Sequence, residues 1–569
     1  MLTRFPGRLR SVNDQGLPVS PQEVAEQVRL ALVAVVESAQ VSVDVPVEVR
    51  IERPKSRSHG DYTTSIAMVL ARSAGLAPRE LAGLLAAALQ GRPGIAEAEV
   101  AGAGFVNIRL AAQAQGEIAR TIVEAGATYG EVSLLAGEVI NVEFISANPT
   151  GPLHLGHTRW AAVGDAIARV LAKAGATVTT EFYINDRGVQ MDRFGASVLA
   201  VASGAPVPQD GYHGDYVVDL AAEITAQDPG VLKLPPDERL IAFREAAYTR
   251  QLQQQQRVLG LFRTHFDTWT SERDLHASGS VEHGIKQLTK HGHVFAADGA
   301  HWLRTSDFGD DKDRVLVKAD GEYTYFASDT AYYVNKRDRG FDRCIYLLGA
   351  DHHGYVNRLK AVAQCNGDSA DQVEVLIGQL VKIHRDGVEV KLSKRAGTIV
   401  TLEELVEEVG VDAARYSLIR YPVDSPLTLD LAEITRRSND NPVFYVQYAH
   451  ARICSVLRNA AELGIDWRTD GYDPALLAEP TENALLGVLA EYSRVMATAA
   501  ELREPHRIAR YLEEVATSYH RFYDACRVLP RGAEPLSAEQ RGRLWLCAAA
   551  RQVLANGLDV LGVQAPERM

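Results

Sequence analysis

Two short segments carry side chains suited to phosphate chemistry. His154 and His157 stand three apart in His-Leu-Gly-His, after the cluster Asn148-Pro149-Thr150-Gly151-Pro152 and before a helical pattern of Val163, Ile167, Val170, Leu171 and Ala174. A helix N-terminus offers unpaired N–H groups and a partial positive charge, so phosphate belongs there. The second segment holds Lys391, Ser393 and Lys394 in Lys-Leu-Ser-Lys-Arg, a loop too densely cationic to be buried unpaired. Taken singly, the first is an ordinary helix start and the second an ordinary solvated turn. Placed on the two halves of one nucleotide fold, they would grip the two ends of a triphosphate, because crevice sites form where the halves of an open parallel sheet meet. Such a site needs no covalent nucleophile: lining up an acid's carboxylate with the α-phosphorus and stabilising phosphate charge can drive adenylyl transfer.

The elements that must position these groups follow from periodicity. Residues 139–145 read as a buried parallel strand and 177–184 as its neighbour, running into Asn185-Asp186-Arg187-Gly188-Val189-Gln190. Strand, loop, helix, strand is half of a doubly wound fold, without a G-x-G-x-x-G or Walker loop. Residues 201–310 read as an insertion containing a long helix over 236–262, with Gln253 to Gln256 on its solvated face. The sheet is expected to resume near 315 with a hairpin at Ala319-Asp320-Gly321 joining strands 315–318 and 322–326; Ser328 or Asp329 then caps a helix over 330–336. Strands follow at 344–348 and 373–377, with a second hairpin at Asp386-Gly387 and a capping box at Thr401-Leu402-Glu403-Glu404. Upstream, 20–110 reads as a small α/β unit. It has a helix over 21–37, a strand over 47–51, two helical patterns within 62–89, and a Gly-punctuated strand over 100–110 whose Phe105 and Asn107 share a face. A helix over 113–127 links the two, and from about 435 onward the pattern is helical throughout.

At 569 residues the chain must divide into several domains, and 46% hydrophobic with 23% charged residues is ordinary for a globular protein. A net charge of −13 argues against wholesale coating of nucleic acid but leaves room for a local basic face. Five scattered cysteines without a Cys-x-x-Cys pair indicate reduced thiols and no structural zinc. No apolar run reaches the length of a membrane span and the start lacks an apolar signal core, so the expectation is a cytoplasmic protein that meets no membrane. His352 and His353 beside Asp351 have no third ligand at metal spacing.

With these residues in view, the chain resembles the class I aminoacyl-tRNA synthetases, whose HIGH and KMSKS motifs match His154-Leu155-Gly156-His157 and Lys391-Leu392-Ser393-Lys394-Arg395. Within that class it is similar to the arginyl enzymes over nearly its whole length. The stretches VEFISANPTGPLHLGH, YINDRGVQ, YTYFASDTAYY, YLLGADHHGYVNRLKA, VKLSKRAGT, DAARYSLI, VQYAHARI, FYDACRVL and APERM carry the likeness.

The resemblance implies an α/β fold: a Rossmann-like catalytic domain with an insertion (138–430, insertion about 201–310), a small N-terminal domain that touches tRNA (1–112), a linker helix (113–137) and an all-α anticodon-binding domain (431–569). It implies ATP with Mg²⁺, L-arginine and the arginine tRNA as partners, a monomer, and adenylate formation that waits for tRNA. His154, Gly156, His157, Lys391, Ser393 and Lys394 would hold ATP, and the catalytic groups would be His154, His157, Lys391 and Lys394. Many arginyl enzymes lack the second lysine of that loop, which this chain keeps. Glu143, Ser146, Asn148, Tyr325 and Asp329, with Asp351 and His352, would receive arginine. Phe105 and Asn107, and Tyr445, Tyr448 and Arg452 on one helix face, would meet tRNA.

The arginine pocket makes physical sense, since a guanidinium presents five donors in a planar fork that carboxylates such as Glu143 and Asp329 can engage. Two plainer roles stay open at this point: Asp329 as a helix N-cap, and Glu143 as an acid at a sheet edge. A small-molecule nucleotidyltransferase would share the histidine motif but would not need the two flanking domains. A silent tRNA-binding relative would not need His157 and Lys394.

Overall fold

The structure is a computed structural model that describes residues 20–38, 41–385, 387–389, 401–469, 471–532 and 534–569. Ser20 starts α1 (Pro21–Glu37) through a reciprocal capping box with Glu23. β1 (Tyr62–Thr64), α2 (Ile66–Ala74), α3 (Pro78–Leu89), β2 (Ile95–Ala101) and β3 (Phe105–Leu110) follow, and the strands pair in the order β1-β3-β2. Val106, Ile108 and Leu110 enter a core with Val24, Val28, Leu81 and Leu85, so Phe105 and Asn107 at the alternate positions face outward.

Three local expectations change here. Residues 47–51 form no strand; a single bridge joins Glu52 to Thr63, and Val47 is 90% exposed. The stretch 62–89 opens with β1 before its two helices. The supposed single strand over 100–110 is a hairpin, because Gly102 and Gly104 take positive φ and reverse the chain between β2 and β3.

α4 (Ala112–Ala125) leads to the central unit, which runs β4 (Val139–Glu143), α5 (Leu155–Lys173), β5 (Thr177–Ile184), α6 (Val189–Ala202), α7 (Asp215–Gln227), α8 (Pro236–Leu261) and β6 (Thr268–Ser271). It continues with α9 (Glu272–Ala277), α10 (Ser280–Lys290), β7 (Val294–Ala297), β8 (Ala300–Leu303), β9 (Arg314–Val317), α11 (Tyr325–Asp338), β10 (Arg343–Gly349), α12 (Tyr355–Cys365) and β11 (Val373–Gly378). Five parallel strands lie in the order β11-β10-β4-β5-β6, so the winding reverses between β4 and β10. That is a topological switch point, where ligands of open α/β sheets bind.

Two expectations are corrected in this unit. The range 201–310 is not purely insertion, since it contains β6, the edge strand of the central sheet. The element near 315 is β9, which belongs to a separate antiparallel sheet β7-β8-β9; its partner arm breaks off after one bridge, Val317 to Tyr323. Thr324 accepts from the Ala327 N–H and starts α11, so neither Ser328 nor Asp329 is the cap.

Beyond the sheet come β12 (Val381–Arg385), β13 (Val388–Glu389), α13 (Leu402–Val409), α14 (Val411–Ile419), β14 (Leu427–Asp430) and α15 (Leu431–Ile434). The helical remainder is α16 (Pro442–Glu462), α17 (Pro480–Ala490), α18 (Tyr492–Leu502), α19 (His506–Ala525) and α20 (Ala538–Val560). One apolar cluster joins these helices to α5 through Val163, Ile167, Leu171, Leu489, Leu512 and Leu554. No helix among the described residues is long and apolar enough to cross a membrane.

α5 is held from both sides. A Cβ on Gly164 would lie 2.4 Å from the Phe144 ring, so only glycine lets the helix approach the strand end. Asp165 pairs with Arg415, which is fully buried and also donates to the carbonyls of Phe262, Arg263 and Leu561. Removing one partner of a buried pair leaves the other charge uncompensated, at a cost of about 3–5 kcal/mol. Asp165→Ala is therefore expected to lower the unfolding free energy by about that much in a urea titration; a loss under ~1 kcal/mol would mean that the carbonyls alone satisfy Arg415.

Candidate active site

The site begins where β4 stops. The strand ends at Glu143, two residues earlier than its apolar pattern suggests, because Ile145 (φ 70°) and Ser146 (φ 45°) turn into left-handed backbone. For a β-branched residue this conformation costs on the order of 1–3 kcal/mol and persists only where the surroundings impose it. Its result is local: Ser146 Oγ donates to Glu143 at 2.9 Å and accepts from the Tyr183 N–H at 3.2 Å. Asn148 donates to Gln190 Oε1 at 3.2 Å, and Gln255 of α8, buried rather than on the solvated face expected for 253–256, holds the loop by donating to the carbonyls of Asn148 (3.1 Å) and Gly151 (2.8 Å).

This loop delivers His154 as the N-cap of α5. His154 Nδ1 accepts from the Gly156 N–H at 3.1 Å, and His157 Nδ1 accepts from the His154 N–H at 3.3 Å. With both Nδ1 atoms accepting, each neutral ring carries its hydrogen on Nε2, and the two rings pack tilted by 30° with centroids 3.9 Å apart. The helix start thus sets two imidazole rings beside its own amides.

Lys391, Ser393 and Lys394 lie outside the described residues. The chain immediately after them returns to this helix start: Thr401 bridges to His154, and the Leu402 N–H donates to the Leu153 carbonyl at 2.8 Å. Thr401 then caps α13 in a reciprocal box with Glu404.

On the opposite face of the sheet, α11 covers the strand ends with the stripe Tyr325, Asp329, Tyr332 and Lys336. Lys336, fully buried, donates to Glu143 at 2.6 Å and lies over the rings of Tyr332 (4.5 Å) and Tyr346 (4.1 Å). Glu143 is therefore an internally paired acid of the central sheet rather than one at its edge. Burial, then the carboxylates of Glu272 and Glu143, push the Asp329 carboxyl up to about 7, with Arg358 opposing. Glu272, at the first position of α9, is likewise raised by burial, against Arg187 and with Asp186. Ser328 hydrogen-bonds His276 Nε2 at 2.9 Å. Asp329, Glu272 and Glu143 thus act on one another in one layer, where Lys336 is the ion-pair partner of Glu143; such a layer suits a guest cation.

The remaining residues spread outward. Tyr325 is 73% exposed, with its hydroxyl over Gly188. Asp351 and His352 are exposed in a short turn at the C-terminal end of β10, 3.6 Å from one another. Phe105 and Asn107 share the outer face of β3. Tyr445, Tyr448 and Arg452 line one side of α16 against α19: Tyr445 and Tyr448 flank His520 (5.2 and 5.9 Å), and Arg452 lies 4.3 Å over Tyr523. Sequence reasoning missed Glu272, Lys336 and Tyr183. Glu272 follows a strand hidden in the supposed insertion, whereas Lys336 carried a signal, seven residues after Asp329 on the same helix face.

The catalytic fold is that of the class I aminoacyl-tRNA synthetases: residues 244–420 match the family model described as tRNA synthetases class I (R), catalytic domain. Residues 20–110 match the arginyl tRNA synthetase N terminal domain, and 446–569 the DALR anticodon binding domain. The arginine–tRNA ligase of Kineococcus radiotolerans is 55% identical over 97% of this chain and 100% of its own length, and that of Paenarthrobacter aurescens 53% over the same shares. The Thermus thermophilus arginyl-tRNA synthetase structure superposes with a TM-score of 0.74 at 25% identity, covering 96% of this chain and 99% of that one. This chain belongs to the arginyl-tRNA synthetase family.

Proposed function

We infer that the crevice joins L-arginine to the 3′ end of its tRNA in two steps. The arginine carboxylate attacks the α-phosphorus of magnesium-bound ATP and expels pyrophosphate; a hydroxyl of the terminal ribose then attacks the arginyl carbonyl and releases AMP. One observation carries this reading. A loop of ten residues joins the acidic strand end at Glu143 to the imidazole pair at His154, so cation and triphosphate are held from two ends of one short segment.

His154 and His157, with the Gly156 amide, take the ATP phosphates, and Lys391, Ser393 and Lys394 close over them. Asp329 takes the guanidinium, supported by Glu272, while Glu143 acts through Lys336 and Ser146. Asn148 and Tyr325, with Asp351 and His352, border the amino acid. Phe105 and Asn107 meet one part of the tRNA, and Tyr445, Tyr448 and Arg452 the anticodon. The enzyme works as a cytoplasmic monomer divided into units 1–112, 138–430 and 431–569 around the linker 113–137, with the inserted helices ending before β6.

Arginine-dependent exchange of pyrophosphate into ATP, run with and without tRNA, tests the activity. Exchange with another amino acid and none with arginine would overturn it.

A pH dependence follows from Asp329. Burial and the neighbouring carboxylates push its carboxyl up to about 7, and only the ionised form pairs with a guanidinium. Below that value arginine must first displace a proton, so affinity falls towards tenfold per pH unit; above it, affinity levels off. The apparent arginine Kd is expected to be about tenfold weaker at pH 6 than at pH 8 in calorimetric titrations, with the step abolished in Asp329→Asn.

A further inference from the structure

We propose that the ring of Tyr183 is the surface on which the planar end of the arginine side chain stacks, making it a specificity-determining residue of the pocket. The inference rests on the arginine reading above. Tyr183 stands near the C-terminal end of β5, opposite Thr270 of β6, with its backbone fixed by the Ser146 hydroxyl that also holds Glu143. Its ring packs on Tyr332 at 4.7 Å.

After burial, the carboxylates of Glu272, Asp329, Glu143 and Asp186, in that order, disfavour ionisation of its phenol. Two neighbouring rings are occupied: the Lys336 ammonium already lies over Tyr332 and Tyr346 and pairs with Glu143. Among the described residues, no cation of the chain lies over Tyr183. A guanidinium drawn between Asp329 and Glu272 meets in Tyr183 a ring of this layer that, among the described residues, has no cation over it. A flat, weakly hydrated cation gains most from such a face, whereas an ammonium keeps its hydration shell.

The test compares Tyr183→Leu, Tyr183→Phe and fluorinated phenylalanines placed at 183, each in the full-length enzyme with ATP and tRNA saturating. Tyr183→Leu is expected to raise the arginine KM at least tenfold, with kcat and the KM values for ATP and tRNA within about twofold; Tyr183→Phe stays close to wild type. Successive fluorines drain the ring face without changing its shape, so the arginine KM rises stepwise along that series. This second arm reads stacking even if the leucine variant folds poorly. An arginine KM indifferent to fluorination, or a phenylalanine variant as impaired as the leucine one, overturns the stacking role alone. Absence of arginine charging by the wild-type chain in the same assay would overturn the functional reading and the inference together.

Discussion

Asp329→Ala is expected to raise the arginine KM by roughly two to three orders of magnitude while leaving tRNA affinity within about twofold. Truncating one partner of a buried charged contact costs about 2–5 kcal/mol, which at about 1.4 kcal/mol per decade spans roughly 30- to 3000-fold. The structure makes this substitution informative, because Asp329 lies inside α11 and Thr324 is the cap. Losing the carboxylate therefore costs no helix start. Among the acids around Tyr183, Glu143 already has Lys336, and Glu272 alone cannot meet both edges of a guanidinium. Asp329→Asn should show most of the same loss, since it keeps the shape and removes the charge. Equal weakening of arginine and tRNA binding would instead make Asp329 a structural residue.

His157→Asn should lower kcat by about 10²- to 10³-fold with little change in thermal midpoint. The asparagine carbonyl reproduces Nδ1 and can still accept from the His154 N–H, so the capping geometry survives, but the donor at Nε2 is gone. His157→Gln makes the opposite exchange: its amide reaches the position of Nε2 and should recover part of the rate. The measurement is steady-state aminoacylation together with tRNA-supported pyrophosphate exchange. A His157→Asn enzyme of normal kcat would show that the phosphates are held by the helix amides and the lysine segment alone. His154 is the less clean target, because its ring is also the N-cap, worth about 1 kcal/mol.

The legible parts of the sequence share a property: their determinants are local. The helix over 21–37, the strand over 177–184 and the capping box at Thr401 stand where periodicity and caps place them. What was misread depends on partners far away in the chain. β6 is four residues long and becomes a strand only because β5 offers it an edge, and nothing in Thr268 to Ser271 announces a sheet 84 residues after β5. The segment 322–326 has strand-like residues, yet Thr324 turns it into a helix start once β9 has paired elsewhere.

For the site, the sequence by itself determined the histidine-bearing helix start, because its two histidines act through the backbone of that same helix, and their hydrogen bonds span three residues at most. It also named Glu143, Ser146 and Asp329 through family likeness. Only the tertiary structure decided how charge is shared among them. Lys336 reaches Glu143 across 193 residues of chain, Glu272 acts on Asp329 from the helix that follows a strand the pattern concealed, and Tyr183 is left, among the described residues, as a ring without a cation over it. Charges in a low-dielectric layer act through space over several ångströms, so which acid awaits a substrate depends on which one the fold has already paired.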